Sequence, residues 1–336
     1  MIVTVTVNPS FDRTIDLTAP LQRGQVQRAF RSTQEPGGKG VNVSRALHAA
    51  GCPTLALLPG APDDPLILAL GAARIPAESV PVEAPIRSNT TVTEPDGTTT
   101  KLNEPGAPVD EATTDALIAL IVQRSAAASW LVLAGSLPPG APDDFYARIV
   151  AAVQSEAALS GRSAPAIAVD SSGSPLAAAV ASGASIALIK PNGDELLELA
   201  AASGIAVPAL ASDDFEADDD AVIAVAHDLL DRAPALGSLL VTLGARGALL
   251  VSRDEVLAAR APVIVARSTV GAGDCSLAGY LLAAERGDDV AGRLAQAVAH
   301  GAAAASLPGS RVPSLELTHP DEILVSQRPR IAAGRR

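Results

Sequence analysis

Cysteine, lysine and long apolar runs are what this sequence has least of. Cys52 and Cys275 are its only cysteines in 336 residues. Two are too few for a disulfide framework and fit a reducing, cytoplasmic setting. No Cys and His set has metal-ligand spacing. The start, from Met1 to Ser10, lacks a basic stretch ahead of a long apolar one, so no secretory leader is expected. No run reaches the ~18–20 apolar residues of a membrane span. The most apolar stretch, Ala116 to Leu133, is interrupted by Gln123, Arg124 and Ser125. Basic charge is short as well: 25 Lys and Arg face 37 Asp and Glu, for a net −12. That balance disfavours nucleic acid or an anionic membrane as the partner. It leaves room for a small phosphorylated ligand in a local positive pocket.

Of the 25 basic residues only three are lysine: Lys39, Lys101 and Lys190. A chain this rich in arginine retains a lysine either by chance or where a compact ammonium is needed, since a planar guanidinium is not its equivalent.

Apolar residues make up 48% of the chain, enough for a sizeable core. Ile2 to Val7 reads as a buried strand stopped at Asn8-Pro9. Strand and helix signals then alternate, with strands expected at 55–58, 130–134, 165–169, 185–189, 238–242 and 247–251. Helices are expected at about 39–51, 64–73, 110–126, 142–157, 174–181, 193–202, 221–232, 273–286 and 290–305. Such alternation implies an α/β fold, a doubly wound and mainly parallel sheet with helices on both faces. Two polar, β-like stretches, 11–34 and 86–104, do not fit the layering. The second carries Asp96-Gly97 between two strand-like runs, a hairpin signal. The two stretches are expected to pair as a small sheet acting as a lid, with 1–10, 35–85 and 105–325 forming the core. The acid run from Asp213 to Asp220 reads as a solvated loop and helix start, and the basic tail from 326 as frayed.

Three segments carry chemistry. The first, Ser268 to Ser276, places Gly271-Ala272-Gly273-Asp274 between a strand-like run (Val263 to Ala266) and an apolar helix. Backbone N–H groups at a helix start converge on an anion. A carboxylate there suits a base beside a transferring phosphoryl group; it also suits a plain helix cap. The second is Gly37-Gly38-Lys39-Gly40-Val41-Asn42, a glycine turn opening a helix. The third is Lys190-Pro191-Asn192-Gly193-Asp194-Glu195 after an apolar strand, where Lys, Asn and Glu suit phosphates and magnesium or an ordinary solvated helix start. A Walker loop is excluded, since Thr33 stands where its first glycine would be and Gly40 follows Lys39. A dinucleotide fingerprint is excluded because Ser276 replaces its third glycine.

Taken together, these segments resemble the phosphofructokinase B branch of the ribokinase-like sugar kinases, over nearly the whole chain and in the family's order. The motifs are Asn8 to Thr14, Gly37 to Asn42, Gly135 to Gly140, Lys190 to Glu195 and Thr269 to Asp274. Within the family, the text is most similar to bacterial 1-phosphofructokinases and tagatose-6-phosphate kinases. Lys39, Asn103 to Gly106 and Thr269 to Asp274 carry that likeness. Kinases of neutral sugars generally have Asp in place of Lys39, and a lysine suits a substrate that already bears a phosphate.

The resemblance implies ATP and Mg²⁺ as cofactors and a phosphorylated ketose as substrate, with D-fructose 1-phosphate the first choice. Tagatose 6-phosphate or fructose 6-phosphate is the alternative. A neutral-sugar kinase and a non-catalytic binder of sugar phosphate or nucleotide are weaker ones. It implies Asp274 as base, with Gly271, Ala272 and Gly273 as an anion hole. Lys39, Arg28 and Arg87 would bind the substrate's phosphate, and Asp12, Gly38 and Asn42 its hydroxyls, with Lys101 nearby in the lid. Lys190, Asn192, Thr242, Gly244 and Ser268 would hold the nucleotide, and Glu195 the metal. A homodimer through the lid is expected from the family and from the exposed sheet edge. Cys275 stands where most relatives have serine, either a small helix-start residue or a thiol made reactive by the helix.

Overall fold

A computed structural model describes residues 1–207 and 214–330. Its strands are β1 (Ile2–Thr6), β2 (Ser10–Asp16), β3 (Arg31–Gly37), β4 (Thr54–Pro59), β5 (Ala77–Val80), β6 (Arg87–Thr93), β7 (Thr99–Asn103), β8 (Trp130–Ala134), β9 (Ala166–Asp170), β10 (Ile186–Ile189), β11 (Leu236–Thr242), β12 (Ala248–Ser252), β13 (Val256–Ala259) and β14 (Val325–Gln327). Its helices are α1 (Lys39–Ala49), α2 (Pro65–Ala72), α3 (Glu111–Ser125), α4 (Phe145–Leu159), α5 (Gly173–Ala181), α6 (Gly193–Ala202), α7 (Asp219–Arg232), α8 (Ala272–Arg286) and α9 (Val290–Ala305).

Ten strands form one sheet in the order β14-β13-β12-β11-β10-β9-β8-β1-β4-β5. From β11 to β5 every pairing is parallel, and β12 to β14 extend the β11 edge antiparallel. Helices cover both faces, which is why a central strand such as β1 is buried at all five positions rather than alternating. On one face Leu117, Ile121, Tyr146, Ile149, Val222 and Leu229 of α3, α4 and α7 pack on the sheet. On the other, Val43, Leu47, Leu277, Leu281, Leu294 and Val298 of α1, α8 and α9 do so. The chain leaves β1 toward β4 and β5, then returns to add β8 on β1's other side. Strand order reverses there, and ligands of open α/β sheets gather at the carboxyl ends of strands beside such a switch.

β3-β2-β6-β7 form the second sheet, with β2 parallel to β6 and antiparallel hairpins on either side. Since β2 starts four residues after β1 ends, this sheet stands at the carboxyl end of the large one.

Four sequence expectations need correction. Val263 to Ala266 is not a strand: Val263 and Val265 are fully or almost fully exposed in irregular chain. The edge of β13 is taken by β14 instead, and this run pairs with no strand. The tail does not fray at 326; β14 pairs there, and Arg328 forms ion pairs with Asp219 and Asp220. Asp219 is not solvated. It is buried at the start of α7, where Arg246, Arg260 and Arg328 approach its carboxylate to 2.7, 2.6 and 3.0 Å. Asp213 of the same acid run, and residues 331–336 of the tail, lie outside the described residues. β5, β13 and β14 were not expected at all; each is only three or four residues long.

Candidate active site

The charged groups of the site stand at the ends of β9 and β10 and the starts of α1, α6 and α8. Asp170 closes the apolar strand β9 and has no exposed surface. Lys190 follows β10 and is 4% exposed. Lys39 is the first residue of α1, capped by Gly38. Lys39 Nζ donates to Asp170 Oδ1 at 2.8 Å and to Glu195 Oε1 at 3.1 Å, and Lys190 Nζ lies 3.2 Å from Asp170 Oδ2. Burial opposes the charged form of Asp170, but the two ammonium groups outweigh it and hold the carboxyl below its ordinary range. Burial likewise opposes the charge on Lys39; Asp170, Glu195 and Asp274 outweigh it and raise its pKa.

Asp274 is buried at the third position of α8 and accepts a 2.8 Å hydrogen bond from Asn42 Nδ2. Burial, then the negative charge of Asp170, pushes its pKa up from 3.8 to about 6, while Lys39, the Asn42 bond and Lys190 pull against the rise. Gly271, just before the helix, has φ +77°, a left-handed turn that glycine adopts without strain. The ammonium of Lys190 stands over this turn, 3.2 Å from where a side chain on Gly273 would begin. Helix starts leave N–H groups without intrahelical partners. Ala272 is an exception to the expected anion hole, since its N–H points back to Thr269 O at 3.3 Å. Ser268 fixes the approach: its Oγ accepts from Val270 N–H at 3.3 Å, and its own N–H donates to Ala305 O.

Asn192 and Glu195 form a reciprocal capping box at the start of α6, each side chain bonding the other's backbone N–H at 2.8 and 2.9 Å. Glu195 thus spends one oxygen on the box and the other on Lys39. Thr242, at the end of β11, bridges to Asn192 and donates its N–H to Pro191 O, so the two expected nucleotide segments adjoin. Gly244 follows, exposed.

Asp12 lies on β2, and its side chain leans over Gly37, the diagonal neighbour on β3. A Cβ at residue 37 would come within 2.1 Å of Asp12 Oδ2, so glycine makes the room. Burial raises the Asp12 pKa, offset in part by bonds from Ser10 and Asn89 and by Arg45 and Arg87. Ion pairs and hydrogen bonds join Lys39, Lys190, Asn192 and Glu195 through Asp170, and the Asn42–Asp274 pair is tied to this cluster by charge. These contacts do not join three other expected residues to it. Arg28 is exposed in the loop between β2 and β3, and Lys101 is exposed on the outer strand β7. Arg87 spends its guanidinium on Glu104 O and Asn8 O, at 2.9 and 3.1 Å, and braces the loop after β1. Cys275 is buried and its thiol pKa is raised by burial and by Asp274, the opposite of an activated thiol.

A profile of the pfkB family of carbohydrate kinases matches residues 5–317. The chain belongs to that family. Among its relatives is a 1-phosphofructokinase of Haloferax volcanii, 36% identical over 318 residues and covering 94% of each chain. Another is a 1-phosphofructokinase of Xanthomonas campestris, 35% identical over 84% of this chain and 83% of that one. The crystal structure of Escherichia coli phosphofructokinase-2 in complex with fructose-6-phosphate superposes with a TM-score of 0.80 at 27% identity, over 94% of this chain and 96% of that one. The ribokinase-like α/β architecture and a sugar-phosphate kinase activity follow for this pfkB kinase, a phosphotransferase.

Sequence reasoning missed Asp170, the residue to which the ammonium groups of half-buried Lys39 and buried Lys190 both turn. A carboxylate ending an apolar strand, with Ser171 next, was the available signal; Lys190 ends its own strand in the same way. It also missed Arg45, three residues beyond Asn42 on α1, and Asn8, whose side-chain amide donates to Pro105 O at 3.0 Å.

Proposed function

We propose that this pfkB kinase transfers the γ-phosphoryl group of ATP to the C6 hydroxyl of D-fructose 1-phosphate. The substrate hydroxyl oxygen attacks the γ-phosphorus, its proton passes to Asp274, and the bond to the β–γ bridging oxygen breaks to release ADP and fructose 1,6-bisphosphate. The observation that carries the chemistry is the buried Asp274 carboxylate, held by Asn42 beside a glycine turn that Lys190 overhangs. What supports the substrate is the pair of 1-phosphofructokinases at 35–36% identity over most of the chain.

In this reading Gly271 and Gly273 offer N–H groups to the moving phosphoryl, with Lys190 neutralising its charge. Lys39 pairs with Glu195 and its charge acts on Asp274 more strongly than that of Lys190, so it bridges acceptor and donor phosphates once it leaves Asp170 or Glu195. Asp12 and Asn42 hold sugar hydroxyls. Thr242, Gly244 and Ser268 border the nucleotide. Among the described residues no group of three or more His, Cys, Asp or Glu could hold a metal by itself. The acidic donors Asp170 and Glu195 fit Mg²⁺ of the kind that keeps its waters and is carried in on phosphates. Bound so, the ion would neutralise the β- and γ-phosphates. The small sheet acts as the lid, and its outer strands β3 and β7 offer edges for a second copy; sedimentation of the purified chain tests that dimer. Two buried free cysteines suit a cytoplasmic enzyme.

The decisive experiment measures ADP release with Mg²⁺·ATP against fructose 1-phosphate, fructose 6-phosphate, tagatose 6-phosphate, fructose and ribose. A preference for fructose 1-phosphate by orders of magnitude in kcat/KM is expected. The second reading is fructose 6-phosphate, favoured by the fold match to the complex with that sugar. A preference for it would overturn the substrate while leaving Asp274 in place.

A further inference from the structure

Arg45 lies on α1, one turn beyond Asn42, and only 11% of its side chain is exposed. Its Nη1 donates to Asn42 Oδ1 at 3.2 Å, to Pro36 O at 2.9 Å and to Ser310 O at 3.1 Å, and its Nη2 donates to Glu35 Oε2. A guanidinium can only donate. The amide atom of Asn42 that faces it must therefore be the oxygen, which leaves the NH₂ group to face Asp274. Without Arg45 that amide loses its second anchor and is held only by the carboxylate it serves.

The other end of the contact lies in the small sheet. Glu35 and Pro36 belong to β3, and Glu35 stands directly opposite Asp12 across the β2–β3 ladder. Two carboxylates facing each other across a ladder destabilise it. Arg45 relieves them both, pairing with Glu35 and lowering the pKa of Asp12. Arg311 adds a looser contact to Glu35 at 3.8 Å.

We propose that Arg45 is a positioning residue that couples the small sheet to the catalytic base. Glu35 holds Arg45, Arg45 sets the amide of Asn42, and Asn42 keeps Asp274 ionised and aimed. A shift of the small sheet over bound sugar reaches Asp274 through this chain. The proposal rests on Asp274 being the base.

The test is steady-state kinetics on Arg45→Met, Arg45→Lys, Glu35→Gln, Asn42→Ala, Asp274→Asn and the double variant Asn42→Ala/Arg45→Met, with melting temperatures alongside. Arg45→Met is expected to lower kcat about ten- to a hundredfold, with KM for ATP within about twofold. Arg45→Lys should recover part of the loss, and Glu35→Gln should lose less than Arg45→Met. The double variant should be no slower than Asn42→Ala, because Arg45 acts through that amide. Losses that multiply in the double variant, or an equal rise in KM for ATP, overturn the coupling. If Arg45→Met does not fold, Arg45→Lys and Glu35→Gln decide, and wild-type kcat in both overturns it. Undiminished turnover by Asp274→Asn overturns the base reading underneath. An inactive Asp274→Asn with multiplying losses overturns the coupling alone.

Discussion

Lowering the pH should switch this kinase off well above the range where an ordinary carboxylate titrates. A base works only when unprotonated, and Asp274 is raised from 3.8 to about 6 by burial and by Asp170. kcat/KM for the sugar phosphate, which reports the free enzyme, should therefore be near half its plateau at pH 6 and about tenfold down at pH 5, falling one decade per pH unit below that. An aspartate at 3.8 would still be more than about 90% ionised at pH 5. The phosphates of ATP titrate too, so the limb needs a second handle, and Asn42 supplies it. Its hydrogen bond to the carboxylate, of the charged kind worth about 1.5–3 kcal/mol, favours the ionised form. At 1.36 kcal/mol per unit, its loss in Asn42→Ala should move the acid limb up by about one to two units. A limb set by the nucleotide would stay where it is. The assay is coupled ADP release at fixed Mg²⁺·ATP and sugar phosphate well below its KM, from pH 5 to 9 on both proteins. A flat wild-type profile down to pH 5, or superimposable limbs in the two proteins, would refute the reasoning.

The same burial has a stability consequence: because the folded state holds this proton more tightly than the unfolded chain, stability falls as pH rises through the interval from 3.8 to about 6. Asp274→Asn should therefore lose turnover by about 10²–10⁴ while melting a few degrees higher than wild type at pH 7 by calorimetry. Asp219→Ala strands Arg246, Arg260 and Arg328 against one another. Those arginines keep partial solvent contact, so a loss of about 1–3 kcal/mol in urea unfolding is expected rather than the larger cost of a fully buried pair. Gly279→Ala puts a Cβ 2.4 Å from Gln296 O between α8 and α9, and should cost about 1–3 kcal/mol or abolish soluble expression. Thiol titration of the native protein should find neither Cys52 nor Cys275 reacting rapidly, and both reacting after denaturation.

Much of the fold was legible because its strands and helices are long and obey one period. β1 is wholly β-branched and β8 is an unbroken apolar run, and α8 and α9 are bounded by turn residues at both ends. The same pattern logic failed at Val263 to Ala266. Four apolar, mostly β-branched residues spell a strand, but a strand forms only where it finds a partner, and β14, about sixty residues further along the chain, pairs with β13 instead. The fate of that run and the order of the tail are therefore one long-range event, invisible in any local window. Asp219 misled for a related reason. An acid run reads as solvated until three arginines, from the turn after β11, the end of β13 and the chain beyond β14, arrive at one carboxylate.

In the site, sequence pattern located the turns and left the pairings hidden. Gly271 to Asp274, Gly37 to Asn42 and Lys190 to Glu195 announce themselves because glycine and helix starts leave local marks. Their ammonium groups were read as waiting for phosphate, whereas each already faces Asp170, a residue with no mark except its place at the end of a buried strand. This changes the logic of the site. An acidic chain holding free ammonium groups in a cleft would trap any passing anion. Paired to one buried carboxylate, Lys39 and Lys190 release charge only to a ligand that competes with Asp170. The presence of two of the three lysines at this site also has a physical reason. Two compact ammonium groups fit around one fully buried aspartate beside a glycine turn, where planar guanidinium forks would demand more room than Gly273 leaves.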